Sequence, residues 1–286
     1  MNIQNILDRK KVKLDSNGIW VTDLSLSSET KKSQKTWEKI YNFNFKKLKS
    51  DRIDFRQNKL QDHISYIDKI YFFTPNTIYL EIGCGPGYIG EYLLKRYSCY
   101  FIGIDFNYQV LMSLKKYLDE MGLKKYVLVH ADINHMPIKP NSIDFIYGGG
   151  VIEHFKDTQG ILVSLYKILK KNVVAFNTIP AFNFFWLTRF WNNIPALMPF
   201  RKIFEILHIQ ILKYALLNKY HGYELSFTLY KLNEMYLRAK YRDIRSGSFA
   251  FHPSKNKLSN KFLRSLYYAF SKNNLVSPIY YVFGNK

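Results

Sequence analysis

The 286 residues are 47% hydrophobic and 22% charged, enough apolar material for a large core, which excludes wholesale disorder, a collagen-like fibre and a long coiled coil. Two cysteines exclude a disulfide framework and a four-thiolate zinc site, and the seven histidines show no HExxH or other metal-ligand spacing, so no metal is expected. The unusual quantity is charge: 42 Lys+Arg against 22 Asp+Glu give +20, which can attract nucleic acid, an anionic bilayer or a phosphorylated substrate, although abundant Lys, Asn, Ile, Tyr and Phe also fit AT-rich codon usage.

The first 65 residues are polar and basic, with one helix expected over 34–48 and neither a secretory leader nor a spanning segment, so a cytoplasmic protein is expected, at most peripheral to a membrane. From residue 77 short apolar runs alternate with helix-period segments, which argues for repeated βα units on a mostly parallel sheet. Strands are expected over 77–82, 100–105, 126–131, 143–147 and 173–177, with helices through 91–95 and over 108–121 and 157–170. After Pro180 the rhythm breaks: Phe182, Phe184, Phe185, Trp186, Phe190 and Trp191 crowd ahead of a helix expected over 201–217. The βα rhythm then resumes with helices over 226–240 and 257–270 and strands over 244–251 and 278–283. This parses as a basic, partly helical extension (1–65), a ligand-binding core (66–180), an aromatic and amphipathic insertion (181–225) and a completion of the sheet (226–286).

The segment that carries chemistry is Glu81-Ile-Gly83-Cys84-Gly85-Pro-Gly87-Tyr88-Ile-Gly90, where a strand ends and a helix begins. Glycines there let the backbone turn sharply and approach a ligand. Gly85, Gly87 and Gly90 also satisfy GxGxxG, with Asp105 at the spacing of a dinucleotide fold, which leaves an NAD(P)-dependent oxidoreductase open. The acidic Glu81 ahead of the first glycine separates the two, because a carboxylate repels a pyrophosphate. Glu81-x-Gly83-x-Gly85-x-Gly87 resembles motif I of the class I S-adenosylmethionine-dependent methyltransferases, and Gly148-Gly-Gly-Val-Ile-Glu-His-Phe155 resembles the fourth-strand segment of their small-molecule and quinone-type members. The segment from His221 to Thr228 is loosely similar to the stretch before their last helix.

The resemblance implies a Rossmann-like three-layer α/β sandwich, with a seven-stranded mostly parallel sheet whose last strand is antiparallel. It implies S-adenosylmethionine as cofactor, with Glu81 at the methionine end, Asp105 on the ribose hydroxyls, and Asp132 and Ile133 at the adenine. Gly83, Cys84, Gly85, Gly87, Tyr88, Phe106, Gly149 and Val151 complete the expected binding set. His154 is the candidate general base, with a positioning role as its alternative. The acceptor is expected to be a small molecule or a lipid- or glycan-linked precursor, beneath an insertion that serves as lid, as core, or as peripheral contact with an anionic membrane. An RNA methyltransferase and a non-catalytic binding module stay open, although the fourth strand ends in Gly-Gly-Gly-Val and lacks the Asn/Asp-Pro-Pro-Tyr/Phe sequence of amino-methylating nucleic-acid enzymes.

Overall fold

The computed structural model describes residues 3–22, 52–53, 55, 59–186, 193–197, 199–207, 223–253 and 260–286. Its strands are β1 (Val12–Leu14), β2 (Trp20–Thr22), β3 (Ile78–Ile82), β4 (Tyr100–Asp105), β5 (Tyr126–His130), β6 (Ile143–Gly149), β7 (Leu169–Pro180), β8 (Ile194–Pro195), β9 (Leu225–Ser226), β10 (Arg242–Ser248) and β11 (Ile279–Asn285). Helices are α1 (Leu60–Ile70), α2 (Tyr88–Tyr97), α3 (Tyr108–Glu120), α4 (Thr158–Ile168), α5 (Arg201–Ile206), α6 (Leu229–Arg238) and α7 (Lys261–Ser271).

The main sheet has nine strands in the order β1-β2-β5-β4-β3-β6-β7-β11-β10. From β2 to β7 the neighbours run parallel, and β11 is antiparallel to both β7 and β10. The seven expected strands are therefore present, with two more at the outer edge. Each of those two has three residues, too short to print a period on a polar sequence, and they form by closing over an Asp15 turn. Asp15 Oδ1 accepts the N–H groups of Asn17 at 3.0 Å and Ile19 at 2.8 Å, and Gly18 takes a φ of +76°. Trp20 is then buried against the edge of β5. The first 65 residues are thus partly built into the sheet, and α1 crosses the expected boundary at 65. The helix expected over 34–48 lies outside the described residues, and that over 201–217 is described only through Leu207.

Alternation along the strands divides the core into two layers. Tyr79, Phe101, Phe145, Tyr147 and Phe176 face α1, α2 and α3, whereas Leu80, Ile82, Ile102, Ile104 and Ile146 face α4 and α6. β3 is buried at all five positions, as expected of a central parallel strand. Side-chain caps start the helices locally: Asn107 accepts from Val110 N–H at 3.2 Å, Asp157 from Gly160 at 2.8 Å and Thr228 from Lys231 at 3.1 Å. The parallel strands all end on one edge, where Glu81, Asp105, Asp132 and the loop after β6 gather.

Candidate active site

Gly83, Gly85 and Gly87 have φ values of +56°, +47° and +64°, so the turn from β3 into α2 uses left-handed backbone that L side chains rarely adopt. A β-carbon on Gly83 would lie 2.7 Å from Cγ2 of Val151, which shows how tightly the glycine loop presses on the loop after β6.

Four backbone donors of this loop are engaged within the protein. Gly85 N–H donates to Asp105 Oδ2 at 2.8 Å and Gly90 N–H to Glu81 Oε2 at 2.9 Å. Gly87 N–H donates to Cys84 O at 2.8 Å, and Cys84 N–H to Ile104 O at 3.0 Å. A phosphate cradle needs such groups aimed at its ligand. Here two carboxylates hold two of them and main-chain carbonyls the other two, and the carboxyl groups leave an acceptor-rich rim.

Both carboxylates are buried. Burial pushes Glu81 up to about 8, with Asp105 adding to the rise and the Gly90 N–H and the Arg52 guanidinium opposing it. Burial also raises Asp105 to about 6, against the N–H groups of Asn107 and Gly85. Each oxygen has lone pairs beyond the bond it accepts, so the pair is suited to a ligand that brings positive charge and hydroxyl donors.

The remaining expected residues are placed as follows. Asp132 is buried and caps the turn after β5, its Oδ1 accepting the backbone and side-chain N–H groups of Asn134, each at 2.9 Å, with Ile133 buried beside it. Phe106 is half-buried, and its carbonyl lies 3.0 Å from His130 Nε2. Gly149 is exposed at the sheet edge, and Val151 is buried against Gly83. The Cys84 side chain turns into the core beside Gly103, where burial holds its thiol well above the ordinary range, so only its backbone borders the loop.

His154 Nδ1 lies 2.7 Å from the carbonyl oxygen of Tyr223. A carbonyl only accepts, so Nδ1 carries the proton and the lone pair of the neutral ring is on Nε2. Neighbouring Glu153 is buried, with Oε2 lacking a hydrogen-bond partner; burial and nearby Glu224 hold its carboxyl well above the usual range.

Sequence reasoning missed what the N-terminal residues bring to this edge. The buried Arg52 guanidinium binds both the Pro86 carbonyl, inside the glycine loop, and Glu91 in the first turn of α2. Phe55 stacks on Tyr88 with centroids 4.7 Å apart. His63 Nδ1 is 2.6 Å from the hydroxyl of Tyr147, which pairs with Glu81 across β3 and β6. Nothing in the sequence marked them: Arg52 is one of many cations in a basic stretch, and the Tyr147 register exists only once the strands pair.

Over residues 80–176 the sequence matches the family described as Methyltransferase domain. The chain is similar to the sterol 24-C-methyltransferase of Schizosaccharomyces pombe (26% identity; 38% of this chain, 29% of that protein). It is also similar to the malonyl-acyl-carrier-protein O-methyltransferase of Hamiltonella defensa (24%; 40% and 43%) and to a chloroplastic 2-methyl-6-phytyl-1,4-hydroquinone methyltransferase of rice, Oryza sativa (25%; 42% and 34%). The chain thus spans less than half the length of these relatives. Among solved structures, phosphoethanolamine N-methyltransferase 2 of Haemonchus contortus shares the fold with a TM-score of 0.61 at 13% identity, over 89% of this chain and 60% of that one. The cyclase SpnF shares it with a TM-score of 0.50 at 11% identity, over 78% of each chain. A sheet in this order, acidic residues at three successive strand ends and the match over β3 to β7 agree: residues 80–176 carry a methyltransferase domain, set in the fold of the class I S-adenosylmethionine-dependent methyltransferases.

Proposed function

We propose that the protein transfers a methyl group from S-adenosylmethionine to a small-molecule or lipid- or glycan-linked acceptor, working at the cytoplasmic surface of an anionic membrane. The observation that carries this reading is the capture of the Gly90 and Gly85 N–H groups by Glu81 and Asp105. A pyrophosphate would meet engaged donors and two carboxyl groups, which disfavours the nicotinamide alternative; a cationic ligand with ribose hydroxyls meets acceptors.

In this reading Glu81 receives the amino group of the donor's methionine end, Asp105 accepts from the ribose hydroxyls, and Asp132 with Ile133 borders the adenine. Gly83, Gly85 and Gly87 allow close approach of the backbone. Cys84 contributes main chain only, while Tyr88, Phe106, Gly149 and Val151 line the cleft. When bound, the donor supplies an electrophilic methyl on a sulfonium. The chain then aligns the acceptor with that methyl and excludes water, which is most of what such a displacement requires. His154 Nε2 takes the proton that an acceptor O–H or N–H releases. Relatives named for sterol, malonyl-acyl-carrier-protein and hydroquinone methylation support an acceptor of this kind.

Calorimetry with S-adenosylmethionine, S-adenosylhomocysteine and NAD(P)H tests the reading. Saturable heat with the first two and none with the third is expected. Heat with NAD(P)H alone would reverse the assignment.

A further inference from the structure

Helix α7 is amphipathic with its apolar side turned outward. Its inner side is held by rings and polar groups: Tyr268 stacks on His252 at 4.0 Å, Tyr267 meets Phe251 at 5.7 Å, and Ser271 is buried. His252 in turn has its Nδ1 2.8 Å from Asp62 of α1. The opposite side presents Phe262 at 74% exposure, Leu266 at 44% and Phe270 at 57%, with Leu263 beside them. Those positions recur every three to four residues and form a continuous stripe. Leu275, just beyond the helix, and Phe184, whose N–H donates to the Leu275 carbonyl at 3.0 Å, extend the apolar surface.

The stripe lies on the active-site side of the sheet. β10 runs parallel to β7, and its last residue, Ser248, is in register through Tyr280 with Ile179 near the end of β7. The chain then crosses α1, where Phe249 lies 4.9 Å from His63, before α7 begins.

Charge identifies the occupant. From residue 244 to 272 the sequence has six Lys or Arg and no Asp or Glu, and exposed Lys261 and Lys272 stand at the two ends of α7, the Lys272 ammonium 4.5 Å from the centroid of the Tyr268 ring. A second copy seated on this face would bring the same lysines together, which is repulsive. An anionic bilayer receives the phenyl and leucyl groups in its interface and the lysines at its headgroups. We infer that the outward face of α7 docks the protein on an anionic lipid bilayer, holding the carboxyl edge of the sheet at the membrane surface. This rests on the membrane-contact part of the proposed function and places that contact on α7. Of the insertion's rings, Trp186 is buried and Phe182 and Phe185 are half-buried, so they serve chiefly as core.

Co-sedimentation of the full chain, without donor, with phosphatidylcholine vesicles and with vesicles containing about 30% phosphatidylglycerol tests the inference. The wild type should bind the anionic vesicles about tenfold or more strongly, with the preference shrinking as salt rises. Phe262→Ser/Leu266→Ser/Phe270→Ser should lose about tenfold or more of that binding, and Lys261→Gln/Lys272→Gln about tenfold. Both variants should keep the wild-type thermal midpoint and donor calorimetry. Equal binding to neutral and anionic vesicles, or wild-type binding by the triple variant, would overturn the inference. So would a dimer in light scattering that the triple substitution dissolves. Vesicle binding that persists while donor heat is absent would sink methyl transfer alone.

Discussion

Asp105 holds the glycine loop through Gly85 and, in the proposed function, the ribose as well, so its two tasks can be read separately. Asp105→Ala should weaken donor binding by about 1–3 kcal/mol, the usual cost of losing hydrogen bonds to a charged group, and calorimetry reads it. Unchanged affinity would move the ribose elsewhere. His154→Ala should lower kcat about 10²-fold with donor affinity intact, because Tyr223 has already fixed the tautomer that leaves Nε2 basic. A loss below about tenfold in single-turnover assays would make His154 a positioning residue.

At the scale of elements, the turn from β3 into α2 depends on close approaches. A β-carbon at Gly90 would lie 2.4 Å from the ring of Phe101 on β4, a side chain locked in the core. Gly90→Ala should therefore cost about 1–3 kcal/mol in denaturant unfolding, the range for overpacking. Arg52 connects the N-terminal segment to the same turn, binding the Pro86 carbonyl and Glu91 while its guanidinium lies 3.8 Å from the centroid of the Tyr117 ring. Arg52→Gln should cost about 2–3 kcal/mol, since Glu91 keeps Lys95 and the hydroxyl of Tyr117 as partners. It should also weaken donor binding, because the loop loses an anchor. Stability lost with affinity kept would separate the anchor from the site.

For the whole molecule, buried titratable groups set a pH dependence whose sign can be worked out. Glu81 and Asp105 hold protons more tightly folded than unfolded, so the stability they contribute is full below their ordinary values of 4.5 and 3.8. It is lost as pH rises through about 6 for Asp105 and about 8 for Glu81. His63, pushed down to about 4 by burial and by Lys59, acts in the opposite sense, adding stability as pH rises from about 4 to 6.5. The thermal midpoint of the free protein should accordingly fall between pH 6.5 and about 8, and Glu81→Gln should lessen that fall, to which Glu153, also raised by burial, contributes in the same sense. Donor affinity should rise over the same window as Glu81 ionises. A midpoint that climbs throughout would show that Glu81 is charged in the free protein.

The amino-acid sequence by itself determined the βα alternation, the glycine turn and the strand-end acids, because these rest on local chemistry: apolar runs of strand length, glycine at positive φ, and a carboxylate where a strand stops. It also told strand from helix through the core, with β7 longer than its apolar run because pairing with β6 and β11 extends it. Only the tertiary structure decided that the Gly90 and Gly85 amides are held by Glu81 and Asp105, that Arg52 and His63 reach the candidate site from the N-terminal side, and that β1 and β2 widen the sheet. It likewise turned the apolar side of α7 outward. These outcomes come from contacts between residues far apart in the chain, and a periodic pattern shows that a helix has an apolar face without showing what that face meets.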